Sequence, residues 1–125
     1  MPGFTPQRLD HVSLNVSDRP RSIAWYRDVL GLQPRNDQAR DDWPVFLGAQ
    51  PSPIALFQAA RESPPREPES TGLRHFALLV GREGIERARE HLEARAFPFT
   101  PVDHGGTPSL YFKDPDGNTI ELVGA

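Results

Sequence analysis

From residue 11 to residue 16 the chain alternates, with Val12, Leu14 and Val16 on one side and His11, Ser13 and Asn15 on the other, the period of two of a half-buried strand. The period then lengthens. Ile23, Tyr26 and Leu30 are spaced by three and four, which marks one face of an amphipathic helix. Asp18 can cap that helix, Pro20 suits its first turn, and Gly31 can take the left-handed conformation that ends it. The same switch from strand to helix recurs further on. Leu9-Asp10-His11-Val12-Ser13-Leu14-Asn15-Val16 matches Leu73-Arg74-His75-Phe76-Ala77-Leu78-Leu79-Val80 at an offset of 64 (75 − 11), followed by a second helical stripe at Ile85, Ala88 and Leu92.

Each half closes on another matching strand, Ile54-Ala55-Leu56-Phe57-Gln58-Ala59 against Ile120-Glu121-Leu122-Val123-Gly124-Ala125, at an offset of 66 (121 − 55). Between the halves, residues 61–70 are rich in proline and charge, which suits a linker and not a sheet. Two further strands are expected at 43–48 and 109–113, the second running into the turn Asp114-Pro115-Asp116-Gly117-Asn118. The pattern therefore predicts an α+β fold of two tandem βαβββ modules forming a curved mixed sheet of half-barrels. Module one spans about 8–59, the linker 60–71 and module two 72–125, in a single domain over 1–125.

Strand parity says which residues share a face. Phe76, Leu78, Ile120 and Leu122 should cover the helices, leaving His11, His75 and Glu121 opposite them, together with Ser109, Tyr111 and Ala55. Curling the modules into a trough would turn that polar face into a concave pocket. A lone histidine on a half-exposed strand is more often a hydrogen-bonded residue than a ligand. Here, however, His11 and His75 occupy the same position in two copies of a repeat, and Glu121 stands at the closing strand of one copy. Two imidazoles and a carboxylate suit one divalent ion per site, Fe(II) or Mn(II) first and Zn(II) or Ni(II) next, with positions left open for a substrate.

Composition narrows the chemistry further. The 125 residues are enough for one compact core. They contain no cysteine, so a metal must be held by nitrogen and oxygen. The net charge of −3 comes from interleaved acids and bases without a basic run, so nucleic acid is not an expected partner. Mean hydropathy is −0.55, no stretch approaches a bilayer span, and the opening MPGFTPQR lacks the apolar core of a secretory signal. A cytoplasmic protein with a small-molecule substrate is the simplest expectation.

Three segments carry a resemblance: Leu9-Asp10-His11-Val12, Ala24-Trp25-Tyr26-Arg27-Asp28-Val29-Leu30-Gly31-Leu32, and Tyr111-Phe112-Lys113-Asp114-Pro115-Asp116-Gly117-Asn118-Thr119-Ile120-Glu121-Leu122. From about Arg8 to Val123 the chain resembles the vicinal oxygen chelate superfamily, the glyoxalase, bleomycin-resistance and extradiol-dioxygenase family. The resemblance implies paired βαβββ modules, commonly in a homodimer, around a metal that chelates two neighbouring substrate oxygens, with ligands at His11, His75 and Glu121. Members resembling glyoxalase I carry a fourth ligand where this chain has Ala55, which counts against that activity. The His, His, Glu set instead resembles extradiol dioxygenases and fosfomycin-resistance enzymes. A metal-free sequestration protein of the bleomycin-resistance kind is the alternative. Tyr111 and His104 are the candidate catalytic groups, and Ser109, Trp43 and Phe57 the candidate substrate contacts. His104 by itself reads as a solvated loop histidine, and His91 as an exposed helix residue.

Overall fold

The computed structural model describes residues 2–35, 43–48, 51–64, 67 and 69–125. It divides into two compact units, Met1–Glu62 and Ser63–Ala125. Each carries an open mixed sheet, neither closed into a barrel. The linker positions Pro65, Arg66 and Pro68 lie outside the described residues.

The first unit contains β1 (Val12–Val16), α1 (Arg19–Leu30), β2 (Val45–Leu47) and β3 (Ile54–Gln58), with sheet order β1-β3-β2. β1 and β3 are parallel and β2 and β3 antiparallel. Leu14, Val16, Val45, Leu47, Ile54 and Leu56 are buried on one face, as strand alternation requires, and Ala55 is buried on the other. Asp18 accepts from the backbone N–H of Arg21, and Gly31 ends α1 at φ 70°, so both helix signals are realised. The buried stripe of α1 corrects the expected face. It runs through Arg19, Ser22, Tyr26 and Val29, with Ile23 and Leu30 only half-buried. Hydropathy misplaces this stripe because two of its four members are polar. Arg19 satisfies itself through Nη1 to the carbonyl of Trp43 at 2.7 Å, and its backbone N–H donates to Gln58 Oε1 at 3.0 Å.

The second unit runs β4 (Phe76–Leu79), α2 (Gly81–Ala94), β5 (Thr100–Asp103), β6 (Pro108–Lys113) and β7 (Thr119–Val123), with order β4-β7-β6-β5. This is a full βαβββ arrangement. β5 has no hydrophobic signature, since all four of its residues are exposed. The turn at 114–118 forms as expected: the Asp114 N–H donates to the Asn118 carbonyl at 2.9 Å, and the buried Asp114 carboxylate accepts from Asp116 N, Asn118 N and Asn118 Nδ2.

The repeat holds at the level of register. Ser13 pairs with Ala55 in the first sheet and Ala77 with Glu121 in the second, equivalent positions in parallel pairs. His11 and His75 each fall one residue before the strand they lead into, so both histidines sit at strand entrances.

The end of β7 packs closely on α2. A Cβ on Gly124 would lie 2.8 Å from Cβ and Cγ2 of Ile85, which is buried in the core. Gly124→Ala is therefore expected to destabilise the chain by about 1–3 kcal/mol through overpacking. Urea unfolding should show a lowered midpoint with an unchanged slope.

Candidate metal centre

In the second sheet the register assigns the two faces. Tyr111 pairs with Glu121, Lys113 with Thr119, and Thr100 with Tyr111, so these side chains share one face. Ala77 is the neighbour of Glu121 in β4, and His75, two residues earlier, keeps the same parity. Leu110, Phe112, Ile120 and Leu122 turn the other way and are buried with Ile85 and Leu92 of α2.

On the polar face Glu121 is the centre. It is 8% exposed, and its two oxygens are engaged differently. Oε1 lies 3.0 Å from His75 Nε2. Oε2 accepts from the Ser109 hydroxyl at 2.6 Å and lies 3.6 Å from His104 Nε2. Burial pushes the Glu121 carboxyl up, but hydrogen bonds from Ser109 and Tyr111 and the neighbouring His75 and His104 outweigh that and hold it below the usual carboxylate range. Burial, the hydrogen bond to Glu121 and its negative charge all push the Tyr111 hydroxyl up, so the phenol stays neutral.

These directions orient the protons. An ionised Glu121 can only accept, so the Tyr111 O–H points to it, and the Tyr111 oxygen accepts from His104 Nε2 at 3.0 Å. The rings are packed as well as bonded, with Tyr111 edge-on to His75 at 5.4 Å and to His104 at 6.0 Å between centroids. His104 reaches Tyr111 from the tip of the β5–β6 hairpin. There its N–H donates to the Thr107 carbonyl and Asp103 Oδ1 accepts from the Gly106 N–H. His104 is an exposed loop histidine, as expected, and in addition its ring contacts Tyr111.

The second sheet thus brings together five of the expected site residues: His75, Glu121, Tyr111, His104 and Ser109. In the first sheet His11 stands on the face of Ser13, Ala55, Phe46 and Phe57, with its ring edge-on to Phe46 at 5.9 Å. His11 Nδ1 lies 2.8 Å from Asp10 Oδ2, and that hydrogen bond holds the Asp10 carboxyl below its ordinary value. An Nδ1–H donated to a carboxylate leaves Nε2 as the atom with an available lone pair, the arrangement that prepares a histidine to ligate. Asp10 was not among the expected site residues, although its adjacency to His11 was a usable signal. Ala55 is buried and offers no donor. Trp43 is half-exposed, and its carbonyl is committed to Arg19. His91 is exposed on α2.

The donor chemistry of His75 and Glu121 fits a cation. Two ligands about 2.1 Å from one ion stand about 3 Å apart, and the Nε2 to Oε1 separation is 3.0 Å. Among the described residues no group of three or more His, Cys, Asp or Glu side chains is gathered so as to hold a metal ion. The second sheet therefore brings one imidazole and one carboxylate together as an adjacent pair.

Residues 8–122 match the Glyoxalase/Bleomycin resistance protein/Dioxygenase superfamily, and the chain belongs to that family. It is 33% identical over 118 residues to Biphenyl-2,3-diol 1,2-dioxygenase 3 of Rhodococcus globerulus, covering 92% of this chain and 62% of the dioxygenase, so it spans less than two thirds of that relative's length. It is 31% identical over 118 residues to Glutathione transferase FosA of Serratia marcescens, covering 93% of this chain and 79% of the transferase. The crystal structure of a glyoxylase/bleomycin resistance protein/dioxygenase domain from Frankia sp. EAN1pec superposes with a TM-score of 0.78 at 22% identity, covering 95% of this chain and 92% of that one, a likeness of fold. Among the described residues no helix is long and apolar enough to cross a membrane.

The lowered Glu121 value has a stability consequence in the metal-free chain. A carboxyl whose folded value lies below its unfolded one contributes stability that is complete above the ordinary value of 4.5 and is lost as the pH falls through the folded value. Glu121→Gln should accordingly flatten the acid limb of a stability–pH curve measured by denaturant midpoint. An acid limb as steep in the variant as in the parent would contradict the bonding described.

Proposed function

We propose that the chain is a divalent-metal-dependent enzyme that binds a small oxygen-rich molecule through two neighbouring oxygens, with His11, His75 and Glu121 as ligands. The observation that carries this reading is the buried, ionised Glu121 held 3.0 Å from His75 Nε2. A bound divalent ion would supply Lewis-acid polarisation of the substrate oxygens, and Fe(II) or Mn(II) suits the nitrogen and carboxylate set best, then Zn(II) or Ni(II).

The protein groups divide the remaining work. Ser109 holds Glu121 Oε2 and Tyr111 adds a second hydrogen bond to the carboxylate, while Oε1 faces His75. The Tyr111 hydroxyl donates to Glu121 and accepts from His104 Nε2 at 3.0 Å, so it would turn to a substrate oxygen only by giving up its bond to the carboxylate, with the His104 N–H placed to hand a proton to the phenol oxygen. Trp43 and Phe57 are carried as substrate contacts of the first unit. This equipment suits ring-cleaving oxygenation of a catechol or nucleophile addition to an epoxide, and the relatives include a diol dioxygenase and a glutathione transferase by name. The buried Ala55 in the place equivalent to Glu121 argues against a four-ligand lyase site. The reading also takes the chain as a cytoplasmic homodimer whose two units form one domain.

A second reading, metal-free binding of a small molecule, is favoured by one observation: among the described residues no ready three-ligand group is gathered. Metal analysis separates the two. After chelation and reloading, the parent chain should retain about one divalent ion per site, and His11→Ala, His75→Ala or Glu121→Ala should abolish retention. Ser109→Ala should weaken it by about 10–100-fold, because the Glu121 orientation is lost while the ligands remain. A parent chain that retains no ion would overturn the metal reading and leave the metal-free one.

A further inference from the structure

Tyr111 also forms a wall of a pocket of about 340 Å³, whose lining includes Phe97, Phe99, Thr100, Lys113 and Thr119. The pocket belongs entirely to the second unit. Pairing of Thr100 with Tyr111 and of Lys113 with Thr119 puts four of these residues on the sheet face that carries Glu121. Phe97 and Phe112, edge-on at 6.0 Å, reach the pocket from the core side, and Tyr111 is the lining residue it shares with the Glu121 cluster.

Its lining is chemically lopsided. The walls are mainly apolar, half of the lining residues being aromatic, and the sole charged group among them is the ammonium of Lys113. Lys113 has no ion-pair partner among the described residues, in a chain whose acids outnumber its bases by 17 to 14. Aromatic walls favour a flat apolar group, and a lone unpaired cation favours an anion at its far end. Spacing sets the length. Lys113 lies two residues along β6 from Tyr111 and one strand across from the Glu121 position, which places its Cα about 8 Å from that of Glu121 at ordinary strand dimensions.

We infer that this pocket is the subsite for the carboxylate-bearing arm of an aromatic substrate. The ring lies against Tyr111 and the phenylalanine side of the pocket, and the carboxylate is paired with Lys113. The inference rests on the proposed function for the position of the substrate's chelating oxygens and specifies the substrate class, an aromatic acid with two adjacent oxygens at one end and a carboxylate a short chain away at the other.

The test uses the metal-free full chain and two non-chelating probes, 3-phenylpropionate and its neutral counterpart 3-phenylpropanol, followed by calorimetry and by backbone amide shifts. The acid is expected to bind roughly fivefold more tightly than the alcohol, a ratio set by a solvent-exposed ion pair. Lys113→Met should abolish the ratio without changing alcohol binding, Lys113→Arg should restore it, and Thr100→Trp, at an exposed position, should displace both probes. Shifts should centre on Thr100, Tyr111 and Thr119. Equal binding of the two probes, indifference to Lys113→Met, or shifts elsewhere would overturn the proposal. Metal retention measured on the same Lys113→Met sample separates the two readings. Loss of the probe ratio with retention intact supports the subsite, and a parent that binds the acid selectively but retains no metal overturns the metal reading alone.

Discussion

A carboxylate largely withdrawn from water stays ionised only if its oxygens are bonded, because the cost of burying a bare charge exceeds anything packing returns. Glu121 meets that condition with Ser109 on Oε2, a further hydrogen bond from Tyr111, and His75 Nε2 3.0 Å from Oε1. The consequences spread outward. Tyr111 must donate to the carboxylate and so can accept from His104, which in turn requires the β5–β6 hairpin to fold its tip back toward the sheet. One buried charge thereby sets the proton positions of Ser109 and Tyr111 and, through Tyr111, of His104.

That constraint can be met because the sheet separates two kinds of chemistry by parity alone. Leu110, Phe112, Ile120 and Leu122 supply the apolar burial that holds β6 and β7 against α2, and the residues between them are released for polar work. A one-residue slip of β7 against β6 would put Glu121 among Ile85 and Leu92 and Leu122 among the histidines. Register is thus fixed by the core on one face and used by the site on the other. Among the described residues the first unit carries three strands to the second unit's four, with Ala55 in place of Glu121, so it keeps the core face and has a methyl group where the second unit has a carboxylate.

Much of this was legible in the chain because period and repeat are local properties. The alternation around His11 and His75, the αL glycine at Gly31 and the 114–118 turn all depend on nearest neighbours, and each formed where the pattern placed it. Three features were not legible, for identifiable reasons. α1 is rotated about its axis because Arg19 and Ser22 are buried on satisfied or enclosed positions that hydropathy scores as solvent-facing. β5 pairs through its backbone while every side chain is exposed, so it leaves no apolar trace. The approach of His104 to Tyr111 depends on a hairpin tip whose glycines take φ values of 65° and 100°, a conformation the residue names permit without dictating.

The most direct test of the central claim, that Glu121 and His75 form a prepared half-site for a cation, is an NMR titration of the chelated protein with Mn(II), whose paramagnetism broadens nearby resonances. The expected result is that the His75 ring and the amides of Glu121, Ser109 and Tyr111 broaden first, at substoichiometric metal, and that Glu121→Gln removes the effect. Broadening confined to exposed carboxylates elsewhere, with the His75 ring unaffected at equimolar metal, would contradict it.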